Sequence, residues 1–204
     1  MASVQQADHV MNQLSDKEKA AIEEAMKEAE LSFLTRKDNN NNNNNNSKAD
    51  ERVLVTGVVK NLFPKQIKFY GYSIWQGSFV DLPPQNINAN GIGAFAYKAN
   101  VNKCNGDLIY CSLKESNTQQ LGWLLAFNKV DKINKVYVEA GTLDRIEKIP
   151  FEVISEKVAA SGNISRYWDS DTGASAAAEI RNFDDYMAFV GVTFDQYEGI
   201  SQHS

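Results

Sequence analysis

The fold turns on residues 53–128, which run VLVTGVVKNLF at 53–63, KQIKFYGYSIWQGSF at 65–79, IGAFAYKA at 92–99, DLIYCSL at 107–113 and LGWLLAF at 121–127. β-Branched and aromatic residues alternate with polar ones, the period of a half-buried strand. Each run ends in a breaker. Phe63-Pro64-Lys65 reads as a turn. Pro83-Pro84 offers no N–H to a ladder and reads as a loop, and the Asn- and Gly-rich residues 86–93 read as a second turn. Gly57 allows a bulge, and Asn105-Gly106 is the strongest hairpin signal in the chain. Alternation after Pro64 puts Ile67, Phe69 and Ser73 on one face, with Lys68, Tyr70 and Tyr72 on the other. Further strands are expected at 133–139, 142–149 and 151–156. The pattern specifies a mainly β fold, an antiparallel β-sandwich over residues 53–160.

Outside that body the periodicity changes. Ser15-Asp16-Lys17-Glu18 has the form of a capping box, in which the Ser15 hydroxyl accepts from the N–H three residues on and Glu18 reaches back. Ile22, Ala25, Met26, Ala29 and Phe33 then recur at helical spacing. With a shorter helix expected at 4–14, residues 1–36 form a helical N-terminal arm that docks on the β body or on a second copy of the chain. Asparagine fills positions 39–46 without interruption. Asparagine competes for backbone hydrogen bonds and the tract has no apolar face, so residues 37–52 are expected to be a disordered linker. In residues 161–204 the segment 161–173 reads as a polar loop and the alanine-rich 175–179 as the start of a helix. Asn182-Phe183-Asp184-Asp185 reads as a cap leading into Tyr186, Phe189 and Val190 at helical spacing, a C-terminal helix.

Composition narrows the function classes. The 204 residues carry a net charge of −5, and no basic stripe recommends nucleic acid as a partner. The N-terminus lacks the charge and apolar run of a secretory signal, and no apolar run is long enough to be a transmembrane segment. A cytoplasmic protein is expected, with Cys104 and Cys111 as reduced thiols. The two histidines, His9 and His203, lie near the ends, so the β body has no imidazole for Ser-His-Asp or Cys-His chemistry or for a histidine metal site. No catalytic residue, metal site or cofactor is assigned. Gly91-Ile92-Gly93 belongs to a turn rather than a nucleotide fingerprint. Asp169 and Asp171 start like a calcium loop, but Ala174 and Ile180 stand where its glycine and glutamate belong, and an ordinary turn is expected. Glu139, Asp144 and Glu147 are read as solvent-facing charge.

The aromatic residues are the remaining candidates. Phe69, Tyr70, Tyr72, Trp75 and Phe79 fall close together, more rings than one core face absorbs. Tyr70, Tyr72, Trp75 and Trp123 are the candidate ligand-binding residues. Three short motifs, Trp75-Gln76-Gly77, Asn90-Gly91-Ile92-Gly93-Ala94-Phe95 and Gly122-Trp123-Leu124-Leu125, make residues 53–130 resemble the plant 23 kDa jasmonate-induced proteins. The resemblance implies a cytosolic, stress- or jasmonate-responsive plant protein with no assigned activity. The strand order and early Trp-Gly step also look distantly like the aegerolysin-type sandwiches, which implies lipid binding. A non-enzymatic binding protein with a lipid, glycan or protein partner is the leading reading. The alternatives are a histidine-free isomerase or cyclase acting on a small plant metabolite, and a self-assembly module, a homo-oligomer built through the arm.

Overall fold

The computed structural model describes residues 13–41, 53–99, 103–116 and 118–197; the side chains of residues 36–41 and of Ile74 are excepted. The expected helix at 4–14 lies outside these residues apart from its last two positions, as do both histidines and residues 42–52 of the asparagine linker.

Helix α1 (Asp16–Asn41) leads into twelve strands: β1 (Val53–Asn61), β2 (Ile67–Gly71), β3 (Ile74–Gln76), β4 (Ser78–Asp81), β5 (Asn86–Ile87), β6 (Ile92–Ala99), β7 (Lys103–Ser112), β8 (Leu121–Val130), β9 (Ile133–Thr142), β10 (Ile164–Trp168), β11 (Ala174–Asn182) and β12 (Met187–Gln196). Helices α2 (Leu143–Ile146) and α3 (Phe151–Ala160) separate β9 from β10. The strands form two sheets, ordered β10-β11-β12-β1-β6-β4 and β5-β2-β7-β8-β9, with β3 added on β7. Every pairing is antiparallel except β1 with β12, which run parallel. The fold is a β-sandwich with helices outside both sheets.

Alternation builds the core. Val55, Val59, Phe95, Tyr97, Val190, Val192 and Phe194 of the first sheet meet Leu108, Tyr110, Trp123, Leu125, Phe127 and Val138 of the second. Gly57 matters here because a Cβ on it would lie 2.1 Å from Cζ of Phe95, whose ring covers the strand. On the outer face of the first sheet, Ile22, Ala25, Met26 and Ala29 of α1 pack on Val58, Ala177 and Phe189. The expected apolar stripe is thus the docking face, and burying Ile22 and Met26 contributes about 1.5–3 kcal/mol each. The capping box forms as expected: Ser15 N donates to Glu18 Oε2 (2.7 Å) and Glu18 N to Ser15 Oγ (3.2 Å). Four ion pairs rivet α1 to the sandwich: Lys17–Asp195, Glu18–Arg166, Glu23–Arg181 and Glu24–Lys60. The helix also runs on into the asparagine tract, to Asn41.

Several expectations are corrected. The C-terminal helix is α3, earlier than expected, and residues 175–190 form β11, the turn after it and the start of β12 instead. Alanine there serves packing rather than helix propensity. Ala176 and Ala178 face the core while Ala177 lies under α1, so the strand is buried on both faces and has room only for small side chains. The polar segment 161–173 contains β10. The strands expected at 142–149 and 151–156 are α2 and α3: Thr142 caps the first, and Ile154 and Val158 at helical spacing bury the second. Asn105-Gly106 is not a hairpin turn; both residues sit within β7, with Gly106 against the Tyr97 ring. The tight hairpin lies instead between β8 and β9, where Asp131 takes φ 49°.

Candidate functional site

The four aromatic residues singled out above occupy three environments. Tyr70 and Trp75 lie on the outer face of the second sheet, beside α2 and α3. Tyr70 is 49% exposed and its hydroxyl donates to Glu147, a bond that holds its pKa above the ordinary tyrosine value. Trp75 packs edge-on to Phe151, with centroids 5.0 Å apart, and its Nε1 donates to Asp107 Oδ2 at 3.0 Å. The other oxygen of Asp107 accepts from Ser73 N at 2.8 Å. Burial pushes the Asp107 carboxyl up, and these two hydrogen bonds oppose the shift.

Tyr72 does not share the face of Tyr70, contrary to simple alternation. The register of β2 on β7 slips between Phe69 and Gly71, and Tyr72 stacks on Phe69 (6.1 Å, 17°) and meets Phe79 edge-on (4.9 Å). Trp123 lies apart from all three, fully buried between the sheets. It stacks on Phe194 at 6.0 Å, packs on Phe63 at 5.3 Å and donates from Nε1 to the Asp195 carbonyl at 3.0 Å.

A concavity lies on the other side of α2–α3, toward β9. It is an open cleft of about 610 Å³. Tyr137 and Glu139 of β9 form its floor, Tyr167 of β10 one wall, and α2–α3 the opposite wall through Arg145, Ile149, Pro150 and Val153, with Asp144, Lys148 and Lys157 at its rim. Glu139 is 8% exposed and accepts from Arg145 Nη1 and from the Tyr137 hydroxyl. The same guanidinium donates to the Ala140 carbonyl and lies 5.6 Å from the Tyr167 ring centroid, within cation–π range. Burial, reinforced by Glu139, raises the Tyr137 phenol, so it stays protonated as the donor. Burial raises Tyr167 in the same direction. Asp144 pairs with Lys148.

Local sequence dictates this geometry. Thr142 Oγ1 accepts from Arg145 N at 3.3 Å and starts α2, which swings Arg145 back over β9. Gly141 clears the path, since a Cβ there would lie 2.5 Å from Arg145 Nη2. Glu139, read from sequence as solvent-facing, is a buried, ion-paired floor, whereas Asp144 and Glu147 face solvent as expected. The available signal was Thr142 followed by Asp144, a helix start rather than a strand. Among the described residues, no group of three or more His, Cys, Asp or Glu side chains is placed to hold a metal ion. Asp169 closes an ordinary turn, as expected, with its Oδ2 accepting from Thr172 N at 3.1 Å.

With this geometry in hand, comparison places the chain among β-sandwich proteins. It is similar to the lipid-binding protein Nakanori, with TM-score 0.62 and 14% identity over 95% of this chain and 93% of that one. It is also similar to the Xerocomus chrysenteron lectin XCL, with TM-score 0.50 and 12% identity over 70% of this chain and 99% of that one. At such identities the likeness is one of fold. No family model and no curated protein sequence matches the chain. Among the described residues, no helix is long and apolar enough to cross a membrane.

Proposed function

We propose that this protein is a non-enzymatic binding protein that recognises the hydroxyl-rich head of a glycan, free or carried on a lipid, in the cleft between β9–β10 and α2–α3. The observation that carries this reading is the nearly buried Glu139, held by Arg145 and Tyr137 on the floor of an open cleft whose wall is the Tyr167 ring. Aromatic faces suit the C–H surface of a sugar, and fixed carboxylate and guanidinium groups suit its hydroxyls. Both similar structures are named as binding proteins, one of lipid and one a lectin. Against catalysis, Asp107 and Glu139 are each engaged by two donors, which leaves neither as an idle acid or base. The test is binding to an immobilised glycan array and to glycolipid vesicles. Retention of at least one glycan, lost in Tyr167→Ala and Arg145→Ala while the fold is kept, supports the proposal; absence of binding by the intact protein overturns it.

The likeness to the plant jasmonate-induced proteins belongs to the same proposal and rests on three motifs, which fall in β3, at the turn into β6, and in β8. It expects a cytoplasmic protein whose transcript rises in leaves treated with methyl jasmonate; an unchanged transcript level counts against it.

A further inference from the structure

Building on the cleft reading, we infer that its ligand is anionic, and that Lys157 receives the negative group. The argument is one of charge pairing. The cleft is lined by three cations and two carboxylates: Arg145, Lys148 and Lys157 against Glu139 and Asp144. Arg145 is held by Glu139 and Lys148 by Asp144. Lys157 makes no hydrogen bond or ion pair with the described residues, although it lines the same concavity on the exposed flank of α3. Its neighbours Glu152 and Glu156 are exposed and do not line the cleft. Asp169 and Glu147 lie near enough to act on Arg145 and Lys148, which leaves Lys157 as the lining cation that no carboxylate of the described residues pairs. An ammonium with no protein partner, on the rim of an aromatic-walled cleft, suits a carboxylate, sulfate or phosphate on the ligand. The rings of Tyr137 and Tyr167 and the apolar wall of Ile149, Pro150 and Val153 take the uncharged remainder. An acidic sugar and an anionic lipid head share this chemistry.

The experiment compares sialyllactose with lactose in solution, and phosphatidylcholine vesicles with and without phosphatidylserine, against the wild-type protein, Lys157→Gln and Lys68→Gln. Lys68 is an exposed lysine that does not line the cleft. The inference expects an anionic probe to bind at least about tenfold more tightly than its neutral counterpart, the equivalent of one partly shielded charge pair. Lys157→Gln should remove that preference, whereas Lys68→Gln should keep it. Preference in the sugar arm alone assigns an acidic glycan, and in the vesicle arm alone an anionic lipid head. Equal binding of sialyllactose and lactose, with no vesicle preference, overturns the anionic inference and leaves glycan recognition standing. A preference that survives Lys157→Gln overturns the assignment to Lys157. If neither sugar nor either vesicle binds, the inference fails, and the glycan array separately decides the reading of the cleft.

Discussion

Replacing Glu18 by glutamine tests how α1 is held. Glu18 is 1% exposed. Its two oxygens accept from Arg166 Nε at 2.9 and 2.8 Å, and Oε2 also accepts from Ser15 N at 2.7 Å. Glutamine preserves shape but offers one acceptor oxygen and turns an NH₂ toward a donor. Loss of a charge-assisted hydrogen bond to a shielded arginine costs about 1.5–3 kcal/mol. Partial loss of the cap adds about 0.5–1 kcal/mol. The Arg166 side chain keeps 19% exposure and regains some water, so the lower part of the summed range applies, about 2–3 kcal/mol. In a chain of this size each kcal/mol lowers Tm by about 2–4 °C, for an expected fall of about 4–12 °C. Thermal and urea unfolding, followed by far-UV circular dichroism and by tryptophan fluorescence, measure it. Because Trp123 donates to the Asp195 carbonyl while the Asp195 side chain pairs with Lys17, the fluorescence reports the α1 attachment as well as the core. A double-mutant cycle with Arg166→Met should return a coupling of about 1.5–3 kcal/mol. A change below about 0.5 kcal/mol with no coupling would refute the claim that this buried pair fixes the helix.

Gly57→Ala drives a methyl group into the Phe95 ring and should destabilise by about 1–3 kcal/mol in urea unfolding, with part recovered by adding Phe95→Leu. Burial pushes the Cys104 thiol up to about 12 from an ordinary 9.0 and raises Cys111 in the same direction, so both should resist alkylation in the native state and react on unfolding. The fold binds the Cys104 proton more tightly than the unfolded chain does, so this stability is present below pH 9.0 and is lost as pH rises toward about 12; a flat stability profile across that interval would contradict the burial. Lys129 is 0% exposed and donates to the Asp131 carbonyl, Asn182 Oδ1 and the Asp185 carbonyl, while burial lowers its pKa. Lys129→Met should cost about 2 kcal/mol by leaving those acceptors without a donor, and should raise hydrogen exchange in both turns.

Much of the sandwich is legible in the sequence because β1, β2 and β6–β9 are apolar, aromatic-rich runs bounded by breakers, and the helical stripe of α1 matches its docking face. The failures share a cause: a local pattern overridden by a neighbour out of sequence reach. Residues 174–182 look helical because alanine is the best helix former, yet alanine is there because α1 and the core close on the strand from both sides. Asn105-Gly106 looks like a turn, yet Gly106 is small because the Tyr97 ring, from another strand, occupies that space. Tyr72 changes sides through a bulge that alternation cannot anticipate. The cleft was missed for a related reason. Its residues come from β9, β10, α2 and α3, and nothing local relates Glu139 to Tyr167. Only Thr142 with Asp144 announced the helix start that turns Arg145 inward.

The position of the cleft has a consequence for what can vary in it. The outer face of the first sheet is covered by α1 over β1, β11 and β12, and that of the second by α2–α3 over β7, β8 and Tyr137 of β9. The two sheets meet at a seam where β9 of one packs against β10 of the other. There the strands are tied directly, Val136 N donating to the Gly162 carbonyl at 2.9 Å and Val138 N to Ser165 Oγ at 3.1 Å. Tyr137 and Glu139 alternate with Val136 and Val138, whose side chains are fully buried in the sandwich core. The floor of the cleft is therefore held by core packing and by cross-sheet hydrogen bonds, whereas Lys148, in the turn between α2 and α3, and Lys157, on α3, are exposed. On the proposed reading, the strands would preorganise the floor, and the exposed rim could change its charge without disturbing the fold.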